Sequence, residues 1–298
     1  WNANSAVATD EELIATFKTK YPTTKKVIGW GESLGGYITQ ALAEKNPSLL
    51  SAAGLACPAL GTVEAELNGA NDFLWGMKTF FDKDIKGHNY SAGETGTAEA
   101  MKDISKIKGI AAEIQASLLT GTWPHNSGAA GTALAAIPPR SALLLIGLIA
   151  GIPLKSAHFD GTTGPGSKNS AAYTSFALAA SPALAVLENG SQAAVLAVLA
   201  TLDMERQSGG PFYDNSKTDY AARVADDAQT YNAALSGNNA IAGMLAFLNP
   251  ANPAAPRWTA TAPAVAEYSK QIKNTGKINV PTLTLTATSD PAVPAGNT

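Results

Sequence analysis

The chain has 298 residues, enough for one large α/β domain or a domain carrying a large insertion, and 45% hydrophobic against 15% charged residues supply ample core. A net charge of −3 and an isoelectric point near 5.7 argue against a basic nucleic-acid-binding face. The single cysteine, Cys57, rules out a disulfide within these residues and leaves the redox compartment open.

The first helical pattern opens on Thr9 and Glu12, spaced as a capping box, continues through the apolar stripe Leu13, Ile14 and Phe17, and is stopped by Pro22. Residues 26–30 (KVIGW) then read as a buried strand running into Gly31-Glu32-Ser33-Leu34-Gly35. Beyond Ser33, residues 34–45 carry Leu34, Ile38, Ala41 and Leu42 at helical spacing, and residues 51–60 read as the next strand of a parallel sheet. Helix, strand, sharp turn, helix and strand in that order is the alternation of a doubly wound α/β fold.

From residue 61 to 277 strand character gives way to Ala-rich helical stretches, clearest at 171–186, 191–207, 218–235 and 261–272. Pro182 is expected to kink or end the first of these early, and Ser191 to cap the second. The longest apolar run, 142–152, is too short to span a bilayer and is expected to be a buried helix. A stretch this long must pack as a largely helical subdomain. Residues 282–287 return to strand type and end at Asp290-Pro291-Ala292-Val293-Pro294.

Gly31, Ser33 and Gly35 spell G-x-S-x-G, the pattern of a serine held on a strained strand-to-helix turn. Side chains at Gly31 or Gly35 are expected to collide across such a turn. The helix that follows directs its amide dipoles toward the serine, and the N–H of Leu34 is a candidate oxyanion-hole donor. Asp290 closes a strand of the same sheet, on the edge where α/β folds build their sites, and is the candidate acid.

With these residues the chain resembles the α/β-hydrolase superfamily, and more closely secreted bacterial serine hydrolases whose acid strand ends in an Asp-Pro-x-Val-Pro turn. The resemblance covers residues 1–60 and 278–298. It implies a mostly parallel, doubly wound sheet in which the nucleophile strand is the fifth, residues 51–60 the sixth and the acid strand the seventh. Residues 61–277 are then a mostly helical cap inserted after the sixth strand. The superfamily places its catalytic histidine after the acid, beyond residue 298, and its second oxyanion donor before Trp1. On this comparison the hydrolase core is incomplete at both ends and the chain is an internal segment of a longer protein.

His88, His125 and His158 all precede Asp290 and are expected to be ordinary residues of the cap; His158, with Asp160 nearby, is the least remote substitute base. No histidine pair has metal-ligand spacing, so neither metal nor cofactor is expected. The expectation is an extracellular serine hydrolase that cleaves a carboxylic ester by acyl transfer through Ser33, with Asp290 as triad acid. Its partner would be a small-molecule ester or peptide, with no nucleic acid and no integral membrane segment. Phe73, Leu74, Trp75, Phe80, Phe81 and Trp123 suggest an apolar acyl pocket, although each also suits the core of the cap. The alternatives are a serine peptidase or aminopeptidase of the same fold, and a non-catalytic binding protein on a hydrolase scaffold.

Overall fold

The computed structural model of the protein describes residues 2–59, 61–129, 132–159, 180–287 and 290. The chain divides into two compact units, one of Trp1–Glu66 with Ser269–Thr298 and one of Leu67–Tyr268.

The first unit is built on three parallel strands, β1 (Ile28–Glu32), β2 (Ala52–Ala56) and β3 (Thr282–Leu285), paired in the order β1-β2-β3. Helix α2 (Leu34–Lys45) follows β1 directly and packs on β1 and β2. The side-chain period of two sends Gly29, Gly31, Ala53 and Leu55 toward α2. The register puts Trp30, Gly54 and Leu283 in line on the opposite face, where the indole lies over the bare Gly54 backbone. Together with Ile28 and Leu285 they make an apolar face whose four large side chains are 67–72% exposed. Parallel sheets ordinarily have both faces covered, and here α2 covers one.

Helix α1 (Ala3–Lys20) begins seven residues before the expected start, with Asn2 rather than Thr9 at its N-cap. Asn2 caps it, its side chain accepting from the Ser5 N–H at 3.0 Å, while Thr9 lies inside the helix and returns its hydroxyl to the Ser5 carbonyl at 2.9 Å. The buried residues are Ala3 and Val7, whereas Leu13 and Phe17 of the expected stripe are exposed.

Among its described residues the second unit contains helices and no strand. They are α3 (Val63–Phe80, whose first turn belongs to the first unit), α4 (Gly93–Thr120), α5 (Pro139–Ala150), α6 (Ser181–Ser208), α7 (Tyr220–Arg223), α8 (Ala225–Thr230), α9 (Asn238–Phe247) and α10 (Ala262–Tyr268). Helix α5, the expected buried helix, is almost wholly enclosed and packs on α4 and α6. Missing side chains let the helices close up: Gly76 sits against Ile146, Gly147 against Val186 and Gly190 against Phe73.

Helix α6 corrects two expectations. It runs unbroken for 28 residues with Pro182 in its first turn, where a proline costs no hydrogen bond, and Ser191 lies in its interior. The predicted break is overridden by a tertiary contact, the Asn189 amide donating to the carbonyls of Pro153 and Lys155 at 2.9 and 2.7 Å, while Ser191 bonds back to Leu187 within the helix at 2.6 Å. Of the expected helix at 171–186, residues 171–179 lie outside the described residues. The expected helix at 218–235 is two short helices, α7 and α8. By length and composition α6 is also the one helix among the described residues able to cross a membrane, yet half of its most apolar window is buried, so no clear integral membrane segment exists there.

A side chain at Gly31 would place its Cβ 2.1 Å from the Gly35 carbonyl oxygen, whereas one at Gly35 would meet nothing within 4 Å. Gly31→Ala should therefore destabilise the β1–α2 turn by about 3 kcal/mol or more. Gly35→Ala should change it by less than about 1 kcal/mol. Hydrogen-exchange protection of the β1 and α2 amides checks both, and equal loss in the two variants would contradict the geometry.

Candidate active site

Ser33 joins β1 to α2 with φ 53° and ψ −122°. A non-glycine residue in that conformation is strained by its own Cβ, typically by 1–3 kcal/mol, and survives only where its surroundings enforce it. Here the enforcement is visible. The Ser33 N–H donates to the Ala56 carbonyl at 3.0 Å, the Ser33 carbonyl accepts from Tyr37 at 3.2 Å and Ala59 at 3.4 Å, and Gly31 touches the backbone of Gly35 and Gly36. Gly36 in turn has Pro58 against it. The expectation for Gly35 is thus corrected: the close approach runs through Gly31 and Gly36, and Gly35 faces open space.

The turn leaves Ser33 exposed at the C-terminal edge of the sheet. Its side chain makes no capping hydrogen bond to α2, although it stands at the N-cap position. The first amides of a helix, here starting with Leu34, have no intrahelical acceptor and carry the positive end of its dipole. The Ser33 hydroxyl and the Leu34 N–H therefore share one turn, the nucleophile beside one candidate donor to an oxyanion. Beside Ser33 the chain leaves β2 at Cys57, which also has positive φ (40°) and whose N–H donates to the Leu285 carbonyl at 2.6 Å.

The same helix holds the segment that delivers Asp290. The Tyr37 hydroxyl donates to the Ile272 carbonyl, and the Asn274 amide donates to the Tyr37 carbonyl at 3.1 Å. Burial pushes the Tyr37 phenol up to about 12, so it stays a donor. In the last turn of α2, the Glu44 carboxylate accepts from Thr275 N–H and hydroxyl at 2.7 and 2.8 Å and from Gly276 N–H at 2.9 Å. Burial opposes its charge, but the bonds from Gln40, Thr275 and Gly276 outweigh it and hold its titration below the ordinary carboxylate range. From this anchor the chain enters β3, and Asp290 lies five residues beyond its end, half-buried. The expected turn at 291–294 lies outside the described residues.

All three histidines belong to the second unit, where each has a neighbour. His125 Nδ1 is 3.0 Å from Glu113, and His158 Nδ1 is 2.7 Å from Glu188. Asp160, the neighbour the sequence offered to His158, lies outside the described residues. His88 stacks on Trp258 with ring centroids 4.3 Å apart. The proposed acyl-pocket residues are also accounted for there: Phe73, Leu74, Trp75, Phe80 and Phe81 are buried core, and Trp123 packs on Phe81 while donating to the Ile137 carbonyl. They belong to the unit's interior, the place in the core of the helical region that each also suited.

Two buried carboxylate centres of this unit were not legible in the sequence. Asp72 accepts from the Tyr213 hydroxyl, the Tyr220 hydroxyl at 2.5 Å and the Arg223 guanidinium at 2.6 Å. Around the loop at 86–91, Asp103 takes the N–H groups of Lys86 and Gly87, Glu205 those of Asn89 and Tyr90, and Glu99 that of Ser91. These oxygens are spent on the loop backbone and on the Lys86, Tyr90 and Ser91 side chains of the same loop, so the acidic cluster has a structural role. Among the described residues no group of three or more histidine, cysteine or acidic side chains is placed to hold a metal ion.

Compared with protein-family models, curated proteins and solved structures, the chain matches none.

His88 supplies a pH test. Burial, then the charges of Lys78 and Lys86, push its imidazole down to about 4 from an ordinary 6.5. Between those values the unfolded chain binds the proton and the folded one does not, so the stability linked to His88 is complete above pH 6.5 and is lost as pH falls toward 4. His88→Phe keeps a ring on Trp258 without the titration. Its unfolding midpoint should fall less than that of the parent between pH 7 and pH 4.5; parallel pH curves would contradict the assignment.

Proposed function

We propose that the protein is a serine hydrolase of the α/β-hydrolase type that cleaves carboxylic esters by acyl transfer. The observation that carries this is the backbone of Ser33, a non-glycine residue held at φ 53°, exposed, and free of the capping bond its position would allow. Strain of this kind clusters at functional sites, and it holds a nucleophile clear of the backbone at the tip of a strand-to-helix turn. Support comes also from sheet order: the strand ending at Ser33 and the strand leading to Asp290 flank β2 in one parallel sheet.

In the proposed reaction Ser33 Oγ attacks the ester carbonyl carbon while a histidine takes its proton, and Asp290 orients that histidine. The carbonyl oxygen becomes an oxyanion facing the Leu34 N–H. The tetrahedral centre collapses as the protonated imidazole gives its proton to the leaving alcohol, and the acyl group stays on Ser33. Water then repeats the sequence, deprotonated by the same histidine, to release the carboxylic acid and restore Ser33. In this proposal the two strands and their elbow belong to a doubly wound hydrolase core, the helical residues 61–277 are its cap, and the protein works outside the cell.

The native protein should be labelled by a fluorophosphonate at Ser33. Ser33→Ala should remove the label and lower hydrolysis of a short-chain p-nitrophenyl ester by about 1,000-fold or more. Label that persists in Ser33→Ala would overturn the nucleophile, and absence of any label on the native protein would favour a binding protein on the same scaffold. Faster cleavage of an aminoacyl amide than of the ester would move the assignment to a peptidase.

A further inference from the structure

In the second unit the loop at 86–91, between α3 and α4, takes its shape from carboxylates on two helices. Asp103 of α4 accepts from the N–H groups of Lys86 at 3.0 Å and Gly87 at 2.7 Å, and Glu205 of α6 from those of Asn89 at 2.6 Å and Tyr90 at 2.8 Å. Glu99 of α4 takes the Ser91 N–H at 2.8 Å and the Lys86 ammonium at 2.6 Å. Inside this frame Gly87 and Asn89 both have positive φ, 75° and 53°. Asn89 carries a Cβ in a region that few residues other than glycine occupy, so the carboxylates hold the loop against a local strain.

His88 stands between the two anchored pairs of N–H groups. Its ring stacks on Trp258 with centroids 4.3 Å apart, and the bare backbone of Gly87 lies against the same indole. The His88 Nδ1 is buried without a hydrogen-bond partner. A neutral imidazole tolerates that place, whereas an imidazolium brings a charge and two N–H donors to satisfy. The neighbouring charges give it no help. Lys78 of α3, which donates to the Lys83 and Ile85 carbonyls, and Lys86 of the loop itself both repel it. Lys106 of α4 reaches the Asp84 carbonyl, and Arg257, next to Trp258, donates to the carbonyls of Asn215, Thr218 and Leu248. The carboxylates of Asp103, Glu99 and Glu205 are spent on the loop. Burial, then Lys78 and Lys86, accordingly push the imidazole down to about 4 while the loop is closed.

We propose that His88 is a proton-operated latch: on taking up a proton in acid its ring leaves Trp258, and the 86–91 loop detaches while the interior of the unit stays folded. Release is local because the loop's other ties are hydrogen bonds that water replaces, whereas α5 and its neighbours form an enclosed apolar interior. Glu205 works in the opposite sense. Burial raises its titration, so the closed loop binds a proton there more tightly than the open one and limits the release. The latch does not involve Ser33, and its test leaves the hydrolase assignment untouched.

Hydrogen exchange of the native protein tests this, read by mass spectrometry on peptides from the loop and from α5 and corrected for the intrinsic rate at each pH. Opening of the loop should increase by up to about 60-fold between pH 7 and pH 4.5, while α5 keeps its protection. That ratio is set by a histidine titrating at about 4 when closed and at the ordinary 6.5 when open. His88→Phe and His88→Leu keep an apolar side chain against Trp258 and remove the proton, so in either variant the increase should disappear. Loop opening in the parent that changes by less than about threefold, a loss of protection shared by α5, or an increase undiminished in a folded variant would overturn the proposal.

Discussion

The first unit depends on one backbone contact, the passage of Gly31 against Gly35 and Gly36 where β1 turns into α2. With hydrogen alone at Gly31 the helix starts immediately after the strand, and no loop residue intervenes except Ser33. That economy forces Ser33 to positive φ. The conformation is held from outside by β2, through the Ala56 carbonyl, and from within by the first helical hydrogen bond to Tyr37. Strain at the serine and contact between glycines are therefore two sides of one constraint.

The same helix then sets the other end of the candidate site. Tyr37 and Glu44, two turns apart on α2, fasten residues 272–276 before the chain enters β3. Rotation or loosening of α2 would move the Ser33 turn and the route to Asp290 together. Glu44 contributes through hydrogen bonds to two backbone N–H groups and a hydroxyl, bonds of the charge-assisted kind that fix a loop in place. The second unit solves a different problem. It builds an all-helical interior from close glycine contacts and a few buried carboxylates, Asp72 above all, that gather phenols and a guanidinium.

What the sequence disclosed was local. The strands at β1 and β2, helix α2 and the serine turn were legible because apolar periodicity, a glycine pattern and a serine coincide within a few residues. The helix at 34–45 was read to its bounds. Thr9 and Ser191 misled because each is a good cap residue placed where a longer helix runs through, and caps carry only about 1 kcal/mol against tertiary packing. The two roles of Gly35 and Gly36 were indistinguishable, since both are small and only the approach of Pro58 separates them. Partners distant in sequence, such as Asp72 with Arg223 or Glu44 with Gly276, leave no local signal at all.

The central claim is that Ser33 is held in a conformation its side chain resists, and the most direct measurement is the relative stability of Ser33→Gly and Ser33→Ala. Elsewhere glycine is less stable than alanine by roughly 0.5–1 kcal/mol, because it loses more conformational freedom on folding. At φ 53° the order should invert, with Ser33→Gly the more stable by about 1–2 kcal/mol, and the missing hydroxyl adds nothing because it caps no helix bond. Global unfolding of the two variants under identical conditions reads the difference. A glycine variant equal to or weaker than the alanine variant would mean the turn is relaxed, and would remove the physical basis for assigning Ser33 as a nucleophile.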